Sequence, residues 1–281
     1  MTTETRATPT ADTLVKIDAW MQCLADETDQ AAHNADLTRY LQILSRFYSY
    51  SAHNCALIAL QRPDATRVAG YRAWQALGRQ VTKGAKGIAI LCPAPIRAKT
   101  DTGEDTVIAL RFRIGYVFDV ADTEGDTLPA LTVHAVEGDR YDALLSHLTA
   151  IATRGGLSVV FKPRLVQDAN GVSYGDGRIE LKQGNPSGNL CKTLIHEWAH
   201  ERVHRAEERR TFTTQQAECQ AESIAYCVCA ALSIPTPNTP TYLALYKVSR
   251  ATLAANLDAI RAGVAALMEE IAPALNAAYA A

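Results

Sequence analysis

The sequence predicts an α+β fold, with N-terminal helices and a small antiparallel sheet followed by a helix-rich domain that carries a short sheet of its own. Three observations predict it. The apolar period changes from helical to alternating near Gly78, is helical at Arg140 to Arg154, and is helical again beyond Asn185-Pro-Ser-Gly. The 281 residues are 48% hydrophobic and 21% charged, enough to build a packed core and too apolar for global disorder. Charge is segregated along the chain, which marks two domains.

Taken in order, Met1 to Thr13 is polar and Thr-rich, without the apolar stretch of a signal peptide or anchor, so the expected location is cytoplasmic. Leu14 to Ala32 reads as an acidic amphipathic helix with Leu14, Ile17, Met21 and Leu24 near helical spacing. Helices are expected at Leu37 to Arg46, at Ala52 to Gln61 before Pro63, and at Tyr71 to Leu77 before a C-capping Gly78. Strands follow at Gln80 to Lys83, Ile88 to Cys92 and Arg111 to Val120, with a hairpin tip near Thr100 to Asp105. The second half opens with a helix at Arg140 to Arg154, broken by Gly155 and Gly156. Short strands are expected at Leu157 to Phe161, Val172 to Tyr174 and Arg178 to Leu181, the last as the wall of a cleft that pairs with an extended peptide. Long helices then run from Asn189 to Glu208 and from Thr214 to Leu232, with further ones at Tyr242 to Val248 and Ala251 to Met268. The longest apolar runs, such as Tyr226 to Leu232, are far short of the roughly 18 residues of a membrane span.

Residues 1–36 carry two basic and seven acidic side chains, a net of −5. Residues 37–118 carry twelve basic against four acidic, a net of +8, and the remainder returns to −5. The expected division is a polar tail and acidic helix over 1–36, a basic domain over 37–125 and a second domain over 126–281, split at the turn-rich Asp119 to Pro129. Seven cysteines form an odd set with no CxxC pair, which fits reduced, core-filling thiols.

The sharpest chemical signal is His196-Glu197-Trp198-Ala199-His200 inside a helix. Histidines at i and i+4 share a face and can reach one ion, while the carboxylate between them can accept a proton from water on that ion. A catalytic zinc wants a third protein ligand. His204 continues the i+4 series, but a straight helix carries it away from the common point, and no glycine breaks Glu201-Arg202-Val203. Glu218 on the following helix is the better candidate, because Ala221 and Ala225 let the two helices approach, and Glu222 one turn on can hold a ligand histidine.

HEWAH followed by ECQAESIAY resembles the glutamate-zincin pattern of the ImmA/IrrE metallopeptidases and of ArdC-type antirestriction proteins. The resemblance implies Zn2+ held by His196, His200 and Glu218, with Glu197 as catalytic base; related sequences often carry a second Glu at Gln220, which is not read as a ligand. The stretch from Arg46 to Leu91 is similar to the N-terminal domain of ArdC-like proteins, a resemblance that covers about 37–120 and implies binding to single-stranded DNA, while the metallopeptidase resemblance covers about 140–250. Read physically, Arg46, Arg72, Arg79, Lys83 and Lys86 can meet phosphates, and Tyr48, Tyr50 and Trp74 can stack on unpaired bases. The expected function is therefore a DNA-associated zinc metallopeptidase, with protein or peptide substrates and single-stranded DNA as partners and no membrane. The alternatives are a DNA-protecting antirestriction protein whose metal is mainly structural, and a regulatory protease that removes a repressor.

Overall fold

The computed structural model describes residues 9–27, 30–99, 105–127, 140–204, 213–236 and 249–280. The expected tip at 100–104, the expected helix at 242–248, the start of the chain and residues 205–208 lie outside them. The chain divides into two units, Met1–Leu24 with Tyr50–Leu128, and Ala25–Ser49 with Pro129–Ala281. Residues 37–49, expected in the basic domain, thus belong by packing to the second unit. The reason is apolar: helix α2 (Gln30–Arg46) buries Leu37, Tyr40, Leu41 and Leu44 and packs on α7 (Thr214–Ala231). Helix α1 (Pro9–Asp26) precedes it, with Ile17, Met21 and Leu24 buried one helical turn apart.

In the first unit, α3 (Ala52–Gln61) starts at Ser51, whose hydroxyl caps the amide of Asn54 at 3.2 Å. Strand β1 (Val68–Gly70) was not expected from the sequence; α4 (Tyr71–Ala76), β2 (Arg79–Val81), β3 (Ile88–Lys99), β4 (Asp105–Asp119) and β5 (Thr123–Gly125) follow. The main sheet is antiparallel in the order β1-β4-β3, with Ile88 opposite Val117 and Cys92 opposite Arg113; β2 and β5 form a separate pair. Strand β3 runs past the expected end at Cys92, through Pro93 and Pro95. Both prolines have the same parity as Ala89 and Leu91, whose main-chain groups face away from β4 at the sheet edge, so neither removes a ladder bond. That edge is closed by two side-chain amides of α3. Asn54 accepts from Leu91 N at 2.9 Å and donates to Leu91 O at 3.0 Å, and Gln61 does the same for Ala89 at 3.0 and 2.9 Å.

The second unit comprises α2, α5 (Arg140–Arg154), β6 (Ser158–Lys162), β7 (Gly171–Ser173), β8 (Arg178–Lys182), α6 (Ser187–Val203), α7 and α8 (Arg250–Ala280). Its sheet has the order β6-β8-β7, with β6 parallel and β7 antiparallel to β8. Helix α8 continues beyond the expected Met268 through Pro273, because Ile271, Ala272 and Leu275 are still buried. By length and composition alone α8 could cross a membrane, with a mean hydropathy of 1.2 over Ala251–Ala277. In this fold it is a core helix that buries Leu253, Ile260, Val264 and Leu267 and packs on α5, α6 and α7. All seven cysteines are free thiols, and five of them (55, 191, 219, 227 and 229) are buried. Burial pushes the thiols of Cys191 and Cys229 up to about 12.

Asn54→Ala strips both partners from the buried main chain of Leu91 and should lower stability by about 2–4 kcal/mol. Urea unfolding of the full chain measures it, and a loss below about 0.5 kcal/mol, the size of an ordinary surface change, would show that the bracket is dispensable.

Candidate metal centre

Helix α6 is buried along most of its length by Leu190, Cys191, Leu194, Ile195, Trp198 and Ala199, so the strip bearing His196, Glu197 and His200 is held without freedom to turn. Helix α7 starts at a capping box, Thr213 accepting from Gln216 N while the Gln216 side chain accepts from Thr213 N. Its Ala221 and Ala225 are fully buried, and α7 packs closely on α6. Glu218 consequently lies across from the two histidines. Its carboxylate oxygens are 3.4 Å from His196 Nε2 and 3.4 Å from His200 Nε2, and these two nitrogens are 3.2 Å apart. All three ligand atoms fall within 4.8 Å of one another, a separation that a single cation at about 2.0–2.2 Å from each can satisfy. Two borderline imidazoles and one carboxylate form a donor set suited to a divalent transition metal or zinc. The residues present fit such an ion.

The groups behind the ligands are also placed. His196 Nδ1 lies 3.2 Å from Glu222 Oε2, an ion-pair contact rather than an aligned hydrogen bond, and Glu222 is held in turn by Lys192 at 2.6 Å. His204, which the straight helix carries away from the ligand point, is a buried residue. It is 1% exposed, caps the end of α6, and its Nδ1 stands 3.1 Å from His200 Nδ1, on the side away from Glu218.

Glu197 and the three candidate ligands line a cavity of about 370 Å³ together with Gly171, Val172, Ser173, His204, Thr214 and Ala217. The wall is therefore β7, and not the expected Arg178–Leu181. Strand β8 is central in its sheet and paired on both sides, whereas β7 lies at an edge. The close approach of β7 needs glycine: a Cβ on Gly171 would stand 2.5 Å from Thr193 Cγ2 and 2.7 Å from Glu197 Oε1. Glu201 fixes the β7–β8 turn, accepting from Ser173 Oγ at 2.6 Å, Gly175 N at 2.6 Å and Gly177 N at 2.8 Å. None of these positions stands out in sequence except as scattered glycines.

Electrostatics follow from this crowding. Burial disfavours the His196 imidazolium, but contacts with Glu218 and Glu222 outweigh it and raise the pKa to about 9. The contact with His196 draws Glu222 down to about 2 against the effect of burial, and contacts with His196 and His200 hold Glu218 well below the usual carboxylate range. Glu197 moves the other way, its pKa raised by burial.

The residues expected to meet DNA are distributed unevenly. Trp74 is 0% exposed and donates its indole N–H to Phe118 O at 2.9 Å, so it is a core residue rather than a stacking platform. Arg79 clamps β5, donating to Thr123 Oγ1 and Thr123 O at 2.8 Å each and to Gly125 O at 3.2 Å. Tyr50 is half-buried, with its hydroxyl donating to Val68 O at 3.4 Å. Arg46 and Tyr48 belong to the second unit. Arg72, Lys83 and Lys86 are exposed and have no ion-pair partner among the described residues. Two aromatics that sequence reasoning passed over are exposed instead, Phe112 at 47% and Tyr116 at 60%, and Tyr71, which the sequence interleaves with Arg72 and Arg79, is exposed at 44%. Phe112 and Tyr116 share the face of β4 opposite that of buried Val117, and alternation along this strand was the signal available for them.

Residues 17–121 match the family model of the N-terminal domain of the anti-restriction factor ArdC. The fold is similar to that of the antirestriction ArdC protein from plasmid R388 in its metal-free crystal structure, with a TM-score of 0.52 at 17% identity over 81% of this chain and 86% of that one. The Mn(II)-bound crystal structure of the same protein matches with a TM-score of 0.47 at 18% identity, over 83% of this chain and 98% of that one. No curated protein matches the sequence.

Linkage sets a test of the centre. In the metal-free protein, His196 with its pKa raised from 6.5 to about 9 contributes stability that is complete below 6.5 and lost as pH rises through 9. Glu222, lowered from 4.5 to about 2, contributes above 4.5 and loses this as pH falls through 2. The metal-free cluster thus supports the fold best between 4.5 and 6.5. A metal must displace the His196 proton, so zinc should raise the thermal midpoint more at about pH 8 than at about pH 5.5. Glu218→Ala should remove most of that increment; a full increment in this variant, or one larger at the lower pH, would contradict the assignment.

Proposed function

We propose that this chain is a DNA-protecting protein of the antirestriction type, with a first unit that binds single-stranded DNA and a second unit that holds a zinc-type divalent cation. The observation that carries the reading is the match of residues 17–121 to the N-terminal domain of an anti-restriction factor. The exposed aromatics Tyr71, Phe112 and Tyr116, with exposed Arg72, Lys83 and Lys86, supply stacking surfaces and phosphate-binding charge.

A second reading, that the centre is also a peptidase, is favoured by Glu197. A structural site of two histidines and a glutamate has no use for a buried carboxylate on the cavity wall, whereas a hydrolytic one needs it. The bound cation would supply Lewis acidity toward water and a substrate carbonyl. Glu197 takes the proton of the attacking water and delivers it to the leaving amine, a task suited to a carboxylate whose pKa is raised by burial. The edge of β7 offers main-chain groups to an extended peptide alongside Glu197. Glu222 and Lys192 hold His196 in place from behind.

The full chain should bind single-stranded DNA with a log–log salt slope near −0.7 per phosphate neutralised. Phe112→Ala with Tyr116→Ala should weaken binding by about 1–3 kcal/mol per lost stack, and Trp74→Ala should act through stability instead. Salt-insensitive or absent binding overturns the DNA reading. Glu197→Gln should abolish proteolysis of a DNA-bound protein substrate while zinc content and DNA affinity stay unchanged. Proteolysis at the wild-type rate in this variant rejects the peptidase mechanism.

A further inference from the structure

We propose that His204, Gln220 and Asn256 form a one-way hydrogen-bond relay that fixes the tautomer of His200, so that a lone pair and not a proton faces the metal position. The proposal rests on the metal-centre reading and extends that centre to α8.

The relay is continuous and buried. His200 Nδ1 lies 3.1 Å from His204 Nδ1, His204 Nε2 lies 2.8 Å from Gln220 Oε1, Gln220 Nε2 donates to Asn256 Oδ1 at 2.7 Å, and Asn256 Nδ2 donates to Thr252 O at 2.8 Å. His204, Gln220 and Asn256 are each no more than 2% exposed. They come from three helices, α6, α7 and α8, so the chain of bonds exists only when all three are packed.

Its direction is set at the far end. A main-chain carbonyl can only accept, so the group of Asn256 facing Thr252 O must be its NH2. The Asn256 oxygen is then the acceptor toward Gln220, which must present its own NH2 there and its oxygen to His204. An amide oxygen only accepts, so His204 carries its hydrogen on Nε2 and leaves Nδ1 bare. The 3.1 Å contact between the two Nδ1 atoms is a hydrogen bond only if His200 carries the proton there. His200 Nε2, the atom 3.4 Å from Glu218 and 3.2 Å from His196 Nε2, is thereby left with its lone pair. A metal-ligating histidine commonly donates its other ring N–H to an outer partner, and such partners affect metal affinity strongly. Here the partner is itself a histidine, a weak choice unless something beyond it forbids the reverse polarity. Gln220 and Asn256 provide that constraint, which gives a function to two buried amides that touch no ligand.

The test reads tautomers and metal affinity separately. In the metal-free full-length protein at alkaline pH, two-bond proton–nitrogen correlation of the ring nitrogens should show His200 as the Nδ1–H form and His204 as the Nε2–H form. Gln220→Leu removes the acceptor, so His204 can place its hydrogen on Nδ1 and drive that of His200 to Nε2. Zinc affinity, measured by competition with a chelator, should fall by about 10- to 100-fold. Gln220→Glu keeps an acceptor facing His204 and should restore most of the loss with His200 again in the Nδ1–H form, which a mere packing role for Gln220 would not produce. His200 found as the Nε2–H form in the unaltered protein, or Gln220→Leu binding zinc as tightly as that protein, overturns the relay. An unaltered protein that takes up no zinc overturns the metal-centre reading instead, and the tautomers still decide the relay.

Discussion

Two histidines one turn apart on a buried helix can meet a carboxylate only if the next helix comes close enough to bring it, and the close packing of α6 on α7 is the constraint on which the second unit depends. Small residues suit it: Ala221 and Ala225 of α7 are fully buried, and Glu218 and Glu222 of the same helix meet the imidazoles. The cost is a cluster of like and unlike charges in a poorly solvated place. The structure offsets it by pairing each group: His196 between two carboxylates, Glu222 against Lys192, Glu201 against two amides and a hydroxyl. On His196 the contacts outweigh burial, whereas on Glu197 burial prevails and raises the pKa, which suits the role of base proposed for it.

Parts of this arrangement were legible in the sequence because they are local. The spacing of His196 and His200 is a property of any helix, and the apolar residues around them declare that helix buried. Helices α3 and α5 could be read to their ends for the same reason, with a proline or a pair of glycines marking where they stop. What could not be read depends on neighbours distant in the chain. The bonding of His204 could not be read because its partner Gln220 is sixteen positions away, and the next link, Asn256, a further thirty-six. Gly171 carries no signal of its own; it matters only because β7 lies against Glu197. The prolines of β3 argued for an end to the strand, and only the identity of the free edge shows why they are tolerated.

The first unit teaches a related lesson about charge. The net of +8 over 37–118 pointed to a polyanion, but the packing boundary and the hydrogen bonds redistribute that charge. Arg79 is consumed in holding β5, and Arg62 pairs with Asp64 and Asp122 at 3.1 Å each. Asp119 is spent on main-chain amides, accepting from Thr66, Arg67 and Ala121. Exposed Arg72, Lys83 and Lys86 have no ion pair among the described residues, and the exposed aromatics that accompany them are Tyr71 at the start of the helix that carries Trp74 and Phe112 and Tyr116 on an alternating strand. An interface for single strands, in the reading proposed above, is then a matter of which groups the fold leaves unused, and that is a tertiary property.

The central claim is the ligand set, and X-ray absorption at the zinc edge of the metal-loaded protein tests it most directly. The account requires two imidazoles and two light oxygen-type scatterers at about 2.0–2.2 Å. Three imidazoles would place His204 on the metal, and a scatterer at the roughly 2.3 Å of a zinc–thiolate bond would bring in a cysteine; either result contradicts a centre built from His196, His200 and Glu218.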